Sequence, residues 1–415
     1  DPSWIRFEFG APHPSLLPKD LLVQATLERL GRDDAARALQ YGPVLGDLEY
    51  REELAKFLTR EYNGGPVSVE NLATTNGASQ SFFNIITWFA SKDTKILIEN
   101  PTYFLAIRML QDHQIPTKNL IPIPTDSSGL SISHLSQTLS TLQTTTPPPS
   151  SQTIHGLKRF PYILYCVATY SNPRGTTLPD DRRRKLVELA KQYDVLVVSD
   201  DVYQTLYFDE GKKPPARLSA YDDLEGFGNV VSNGSFSKIL APGMRLGWVE
   251  AGRGVIQQIR DSGLMYSGGS PNHYTSTIIT EAMRNGSLST HLQTLRKTYA
   301  ANKTAVVETL KRLLPKAASL ESDPSGGFFI WINLPPTIDT SELLRILKSE
   351  SEDELVLTNG ERRKVRREKV TFAAGKGFVT DGGYGSSLRL SFAYYEREVL
   401  VEGCERLARV LNSVC

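Results

Sequence analysis

Lys238 offers the most chemistry in this sequence. It sits in a small, serine-bearing turn, Ser235-Phe236-Ser237-Lys238, and Arg245 follows just ahead of a short apolar run that reads as a strand. A lysine amine condenses with an aldehyde to a Schiff base, and a desolvated pocket activates it for this. An arginine presents a planar fork of donors that matches a phosphate. Together the pair reads as an anchor for an aldehyde that also carries a phosphate. Either residue alone is equally readable as a solvated surface cation, because lysine is mostly exposed in folded proteins.

A further anion site is legible upstream. Thr74-Thr75-Asn76-Gly77-Ala78-Ser79-Gln80 leads into the strongly apolar stretch 81–90, which reads as a buried helix. A glycine and small polar residues at a helix start leave free N–H groups at the positive end of the helix dipole, where an anion is favoured.

These residues need elements to hold them. The run 160–168 is almost continuously apolar, as in a strand covered on both faces, and it ends at Ser171-Asn172-Pro173-Arg174-Gly175. Pro179, Asp180 and Asp181 start a helix whose inner face is Leu186, Leu189, Ala190 and Tyr193. A second buried strand, 195–199, ends at Asp200-Asp201-Val202-Tyr203, and Val230 and Val231 mark one more before the lysine turn. Strand, helix, strand at this spacing is a βαβ unit, so an α/β fold with a mostly parallel sheet is expected. Ligands of such sheets gather beyond the carboxyl ends of the strands. Asn172, Asp200 and the 235–238 turn all fall at such ends.

Composition narrows the function classes. The 415 residues exceed what one core usually serves, so two joined domains are expected. A formal charge of +1 gives no general reason to expect nucleic acid or an acidic membrane. The cysteines, Cys166, Cys404 and Cys415, lack metal spacing and suggest neither a zinc site nor a disulfide framework. No apolar run is long enough to span a bilayer and no secretion signal precedes the arm, so a cytoplasmic setting is the expectation.

The lysine turn, the helix start, the strand-end Asn and Asp and a late Ser387-Leu388-Arg389-Leu390-Ser391-Phe392 strand together resemble fold-type I pyridoxal-phosphate (PLP) enzymes of the class I/II aminotransferase group. The flanking motifs are most similar to its α-aminoadipate/kynurenine aminotransferase branch, over residues 9–392. The resemblance implies that Lys238 forms the Schiff base and Asp200 faces the pyridine nitrogen. It makes Tyr103 the ring-stacking residue, Asn172 and Tyr203 donors to the ring oxygen, and Arg389 the clamp on the substrate α-carboxylate. Ala78, Ser79, Ser235 and Arg245 fall at phosphate contacts, with Ser237 an additional one, although the family often has a hydroxyl where Ala78 stands. Gly10 lies in an extended arm, 5–18, placed across the site mouth. Tyr41 matches a tyrosine that reaches the neighbouring subunit's cofactor, which implies a homodimer with shared sites. The implied domains are a large PLP-binding unit, 46–290, and a smaller α+β unit built from both chain ends, 1–45 and 291–415. Transamination between an L-α-amino acid, aromatic or aminoadipate-like, and a 2-oxo acid is the expected activity. A PLP lyase or carbon–carbon bond-forming synthase is the rival reading.

A PLP-binding regulator is a remote third possibility, disfavoured because the arm begins at residue 5 with no DNA-binding module ahead of it. Three further stretches carry expectations. The Thr-, Ser-, Gln- and Pro-rich segment 136–153 reads as an inserted flexible loop. The basic run 362–369 reads as a solvated loop or strand edge in preference to a nucleic-acid site. The loop 370–378 carries Ala374 where the family usually has proline.

Overall fold

The apolar runs form the middle of an eight-stranded sheet, buried on both faces as their composition requires. The computed structural model describes residues 3–145, 152–154, 156–209, 211–321 and 323–415. The strands are β1 (Leu72–Thr75), β2 (Lys95–Asn100), β3 (Leu120–Asp126), β4 (Gly129–Leu130), β5 (Tyr162–Cys166), β6 (Val195–Asp200), β7 (Val230–Ser235) and β8 (Gly247–Ala251). In space they run β1-β8-β7-β6-β5-β2-β3-β4. From β7 through β3 all neighbours are parallel. β8 is antiparallel to both β7 and β1, and β4 to β3. The parallel strands therefore point their carboxyl ends the same way, as the βαβ reading requires.

Successive residues of β5 serve opposite cores. Ile163 and Tyr165 join a cluster containing Phe82, Ile85 and Trp248, whereas Leu164 and Cys166 join one containing Leu135, Leu186 and Leu189. Helices α1 (Lys19–Leu30) and α2 (Leu48–Glu61) precede the first strand of the sheet. Asp47 caps α2 by accepting from the Tyr50 N–H at 3.3 Å. Helix α3 (Ala78–Phe89) begins three residues earlier than the apolar stretch alone indicates, directly after Gly77.

The segment 136–153 is a correction. Most of it belongs to helix α4 (Ile132–Thr145), and Gln152–Ile154 pairs with Leu157–Arg159 as a hairpin. The physical reason is the stripe Leu135, Leu139, Leu142 at helical spacing, which packs on the sheet beneath the polar residues. Residues 146–151 of that stretch lie outside the described residues. The basic run behaves as expected. Arg362–Lys364 is an exposed strand, and Arg362, Arg363, Lys364 and Arg366 pair with Glu354, Glu361, Asp353 and Glu368. Among the described residues no helix is long and apolar enough to cross a membrane, and no cluster of three or more acidic, His or Cys side chains could hold a metal.

A second, antiparallel sheet joins β9 (Ser319–Leu320), β10 (Phe329–Asn333), β11 (Ala373–Ala374) and β12 (Ser387–Ser391) in the order β9-β10-β12-β11. It is stitched to the first through Gly327 N–H to Leu206 O at 3.0 Å and Phe208 N–H to Ser325 O at 2.9 Å. The amino-terminal arm runs along it. Ile5–Arg6 pairs in parallel with Val370–Thr371, and the Phe7 carbonyl accepts from the Ser391 N–H at 2.9 Å.

The strands around β7 approach as closely as glycine permits. A Cβ on Gly247 would lie 2.5 Å from the Gly234 carbonyl oxygen and 2.9 Å from both Gly77 Cα and Thr75 Oγ1. Two of these are backbone atoms and cannot swing aside. Gly247→Ala is expected to lower stability by about 1–3 kcal/mol, read as a lower urea midpoint with an unchanged slope.

Candidate active site

Beyond the carboxyl ends of β2, β5, β6 and β7 lies a cavity of about 300 Å³. Every residue put forward from the sequence lines it except Tyr41, which stands 80% exposed on the surface.

Lys238 enters from the turn after β7. Its Nζ donates to the Gly10 carbonyl at 2.6 Å, so the arm lies directly on the amine. Burial disfavours the ammonium and draws it down to about 8, against the pull of Asp200. Near neutrality about a tenth of the amine is therefore unprotonated and nucleophilic, far more than for an ordinary lysine.

Asp200 ends β6. Tyr165 donates to its Oδ2 at 2.6 Å, while Oδ1 is buried with no hydrogen-bond partner among the described residues. Burial pushes this carboxyl up to about 6, with Tyr165 and Lys238 opposing the rise. Asp201 points the other way, as strand alternation demands, and is held by the hydroxyls of Ser199 and Ser232.

Arg389 looks like a surface residue on an alternating strand. Instead it is 2% exposed, because the arm and the loop after β11 cover β12. Its Nη1 donates to Asn172 Oδ1 and its Nη2 to the Glu8 carbonyl, both at 2.7 Å. Its guanidinium lies 4.0 Å from the Phe329 ring centre, and its Nε is buried without a partner among the described residues. Burial lowers it to about 10, which still leaves it fully charged near neutrality. Tyr103 and Tyr203 complete the wall, and burial pushes the Tyr103 phenol up to about 12.

At the other end the start of α3 meets Arg245. Gly77 has φ +88°, and a Cβ there would sit 3.3 Å from Arg245 Nη2 and 3.5 Å from Ser235 Oγ. Ser235 Oγ bonds Ser237 Oγ at 3.0 Å, and Arg245 Nη1 reaches Ser237 Oγ at 3.4 Å. First-turn N–H groups, two hydroxyls and a guanidinium thus surround one small space, a donor set suited to a phosphate dianion. Ser237 stands in that cradle, which offsets the hydroxyl missing at Ala78.

The site fits a phosphorylated pyridine aldehyde on two observations. A cradle of N–H groups, hydroxyls and a guanidinium lies at one end, and a buried carboxylate oxygen, unpartnered among the described residues, is left for a protonated ring nitrogen to complete. Sequence reasoning missed Tyr165, which was legible only as one more residue of an apolar strand. It also missed Glu8 and Phe104 in the lining. Nothing in their spacing marks them, since separate elements bring them together.

Comparison with known proteins agrees with this geometry. The model of the family described as aminotransferase class I and II matches residues 9–407. The chain is 29% identical to aromatic-amino-acid aminotransferase 1 of Thermococcus litoralis, over 97% of this chain and 87% of that protein. The solved kynurenine aminotransferase of Pyrococcus horikoshii superposes with a TM-score of 0.81 at 29% identity, covering 99% of this chain and 91% of its own. LysN, the α-aminoadipate aminotransferase of Thermus thermophilus, solved with N-(5'-phosphopyridoxyl)-L-leucine, superposes at 0.77 with 27% identity, over 99% and 92%. A lysine, an aspartate and an arginine gathered in one cavity, in a chain matched almost end to end, place this protein in the class I and II aminotransferase family as a pyridoxal-phosphate-dependent transaminase.

Proposed function

We propose that the enzyme moves the amino group of an aromatic or aminoadipate-like L-α-amino acid to a 2-oxo acid, with Lys238 as its reacting amine. The observation that carries this reading is the shared cavity of Lys238, Asp200 and Arg389, in which one oxygen of Asp200 and one nitrogen of Arg389 are buried with no partner among the described residues.

When bound, pyridoxal phosphate supplies an electron-accepting ring that stabilises negative charge at the substrate α-carbon. The start of α3, Ser235, Ser237 and Arg245 would hold its phosphate, Asp200 Oδ1 its ring nitrogen, Asn172 and Tyr203 its ring oxygen, and Tyr103 its face. Arg389 orients the substrate by its α-carboxylate, taking it in place of the Glu8 carbonyl. Lys238 Nζ, held near the reacting carbon, takes the α-proton as general base. The aromatic side chains of Phe104 and Phe329 line the same cavity and suit an aromatic donor. Incubation with L-phenylalanine, L-kynurenine or L-2-aminoadipate and 2-oxoglutarate should yield glutamate. Release of ammonia or carbon dioxide without glutamate would count against transamination.

We further propose that the working unit is a homodimer, each chain comprising a large unit, 46–290, and a small unit, 1–45 with 291–415. Leu27, Leu39, Tyr41, Leu264 and Tyr266 are all more than half exposed, large apolar side chains that a second copy would cover.

The purified, PLP-loaded enzyme should be yellow, and Lys238→Ala should lose the colour and turnover. Capture of PLP by the apo enzyme should speed up as pH rises, levelling off above about 8, because the depressed ammonium sheds its proton there. Arg389→Lys should raise the KM for the amino donor roughly 10- to 100-fold, since the lost fork is a charge-assisted hydrogen-bond pair. Light scattering should give twice the chain mass, and Leu27→Asp should yield a monomer with weakened PLP binding.

A further inference from the structure

Tyr165 belongs to none of the roles assigned so far, yet it makes the one side-chain hydrogen bond to Asp200 found among the described residues. Resting on the site proposed above, we propose that Tyr165 is a positioning residue. By occupying Asp200 Oδ2 it aims Oδ1 at the cofactor's ring nitrogen and holds the carboxylate ionised.

The geometry supports this at three points. First, the bond is short, 2.6 Å, and both partners are buried, so water does not compete for the acceptor. Second, the two oxygens of Asp200 have unequal fates: Oδ2 is taken and Oδ1 is left bare. A carboxylate with one oxygen fixed has lost the rotation that would exchange them. Third, the Tyr165 ring is itself braced, since Phe82 packs on it with ring centres 4.7 Å apart. Phe82 lies on α3, whose first turn faces the phosphate cradle. The amide of Asn233, on β7, donates to the Ala78 carbonyl at 2.9 Å and fixes that turn to the sheet. One helix thus references both ends of the cofactor to each other.

The electrostatics run the same way. The groups facing Asp200 are Glu99 from β2, Tyr165 from β5, Asp201 on its own strand, Lys238 from the turn after β7, and Tyr103 and Tyr203. Burial and Asp201 favour the protonated acid, while the Tyr165 hydroxyl and Lys238 favour the anion. The Val202 backbone N–H favours the anion as well, and once the amine is consumed Tyr165 is the side-chain donor that remains beside it. A neutral acid would leave the ring nitrogen without its counter-charge.

The test is Tyr165→Phe, which keeps the ring on Phe82 and deletes the hydroxyl. Wild type, this variant and Asp200→Asn are titrated as apo proteins with PLP from pH 5 to 9. Each is then loaded with PLP labelled with ¹⁵N in the ring, for NMR. The variant should bind PLP roughly ten- to a hundredfold more weakly, the range for a lost hydrogen bond to a charge. Its acid-side midpoint should move to higher pH, and its ¹⁵N signal should shift toward the unprotonated ring. Replacing Tyr165 with 3-fluorotyrosine, a stronger donor of nearly the same shape, should move the midpoint the opposite way. This measurement decides the matter even if Tyr165→Phe folds poorly. Unchanged affinity, midpoint and ¹⁵N signal in a folded Tyr165→Phe protein, or an unmoved midpoint with fluorotyrosine, would overturn the proposal alone. Absence of PLP binding by wild type, or Asp200→Asn behaving as wild type, would bring down the site assignment and this proposal with it.

Discussion

Lys238, Arg389 and Asp200 share one largely buried space, and the rest of the molecule is arranged to make that tolerable. Charges removed from water must be paired or shifted toward neutrality. Here both happen. Lys238 is drawn down to about 8 and Asp200 up to about 6, so amine and carboxyl approach each other on the pH scale. Arg389 keeps its charge with the Asn172 amide oxygen, the Glu8 carbonyl and the Phe329 ring around it. Asp200 Oδ1 and Arg389 Nε are left without partners among the described residues, the places that the proposed function gives to a cofactor and an amino acid.

The scaffold supplies those shells from unrelated parts of the chain. Parallel strands bring Asn172, Asp200 and the lysine turn to a common edge. The second sheet contributes Arg389 from β12, and its contact with Asn172 spans the two sheets. Close backbone approach at Gly247 and Gly77 draws β8, β1 and the start of α3 together, and this leaves room for an anion beside Arg245. Loss of any one element would remove a partner from a buried charge, which is more disruptive than loss of an exposed contact.

Much of this was legible in the sequence. Unbroken apolar runs marked the central strands, because only a strand covered on both faces tolerates them. The residues that end those runs were therefore visible as site candidates before any coordinates. Arg389 was visible as a strand residue, but its burial was not. The cover comes from an arm far away in sequence, and alternation within β12 does not reveal a second layer. The segment 136–153 failed differently: polar composition outweighed a leucine stripe that carries its first ten residues into a helix. Tyr165 stayed hidden because a tyrosine inside an apolar strand shows nothing of the carboxylate its hydroxyl meets on the neighbouring strand.

The arm has a consequence of its own. Its backbone carbonyls, from Glu8 and Gly10, accept from the two cations to which the proposed reaction assigns its amine and its carboxylate clamp. On that proposal, loading the site means displacing a piece of the protein. Changes to the path of residues 8–10 will look like defects in chemistry, although no side chain there reacts. Variation in this short stretch can retune the enzyme while its catalytic groups stay the same.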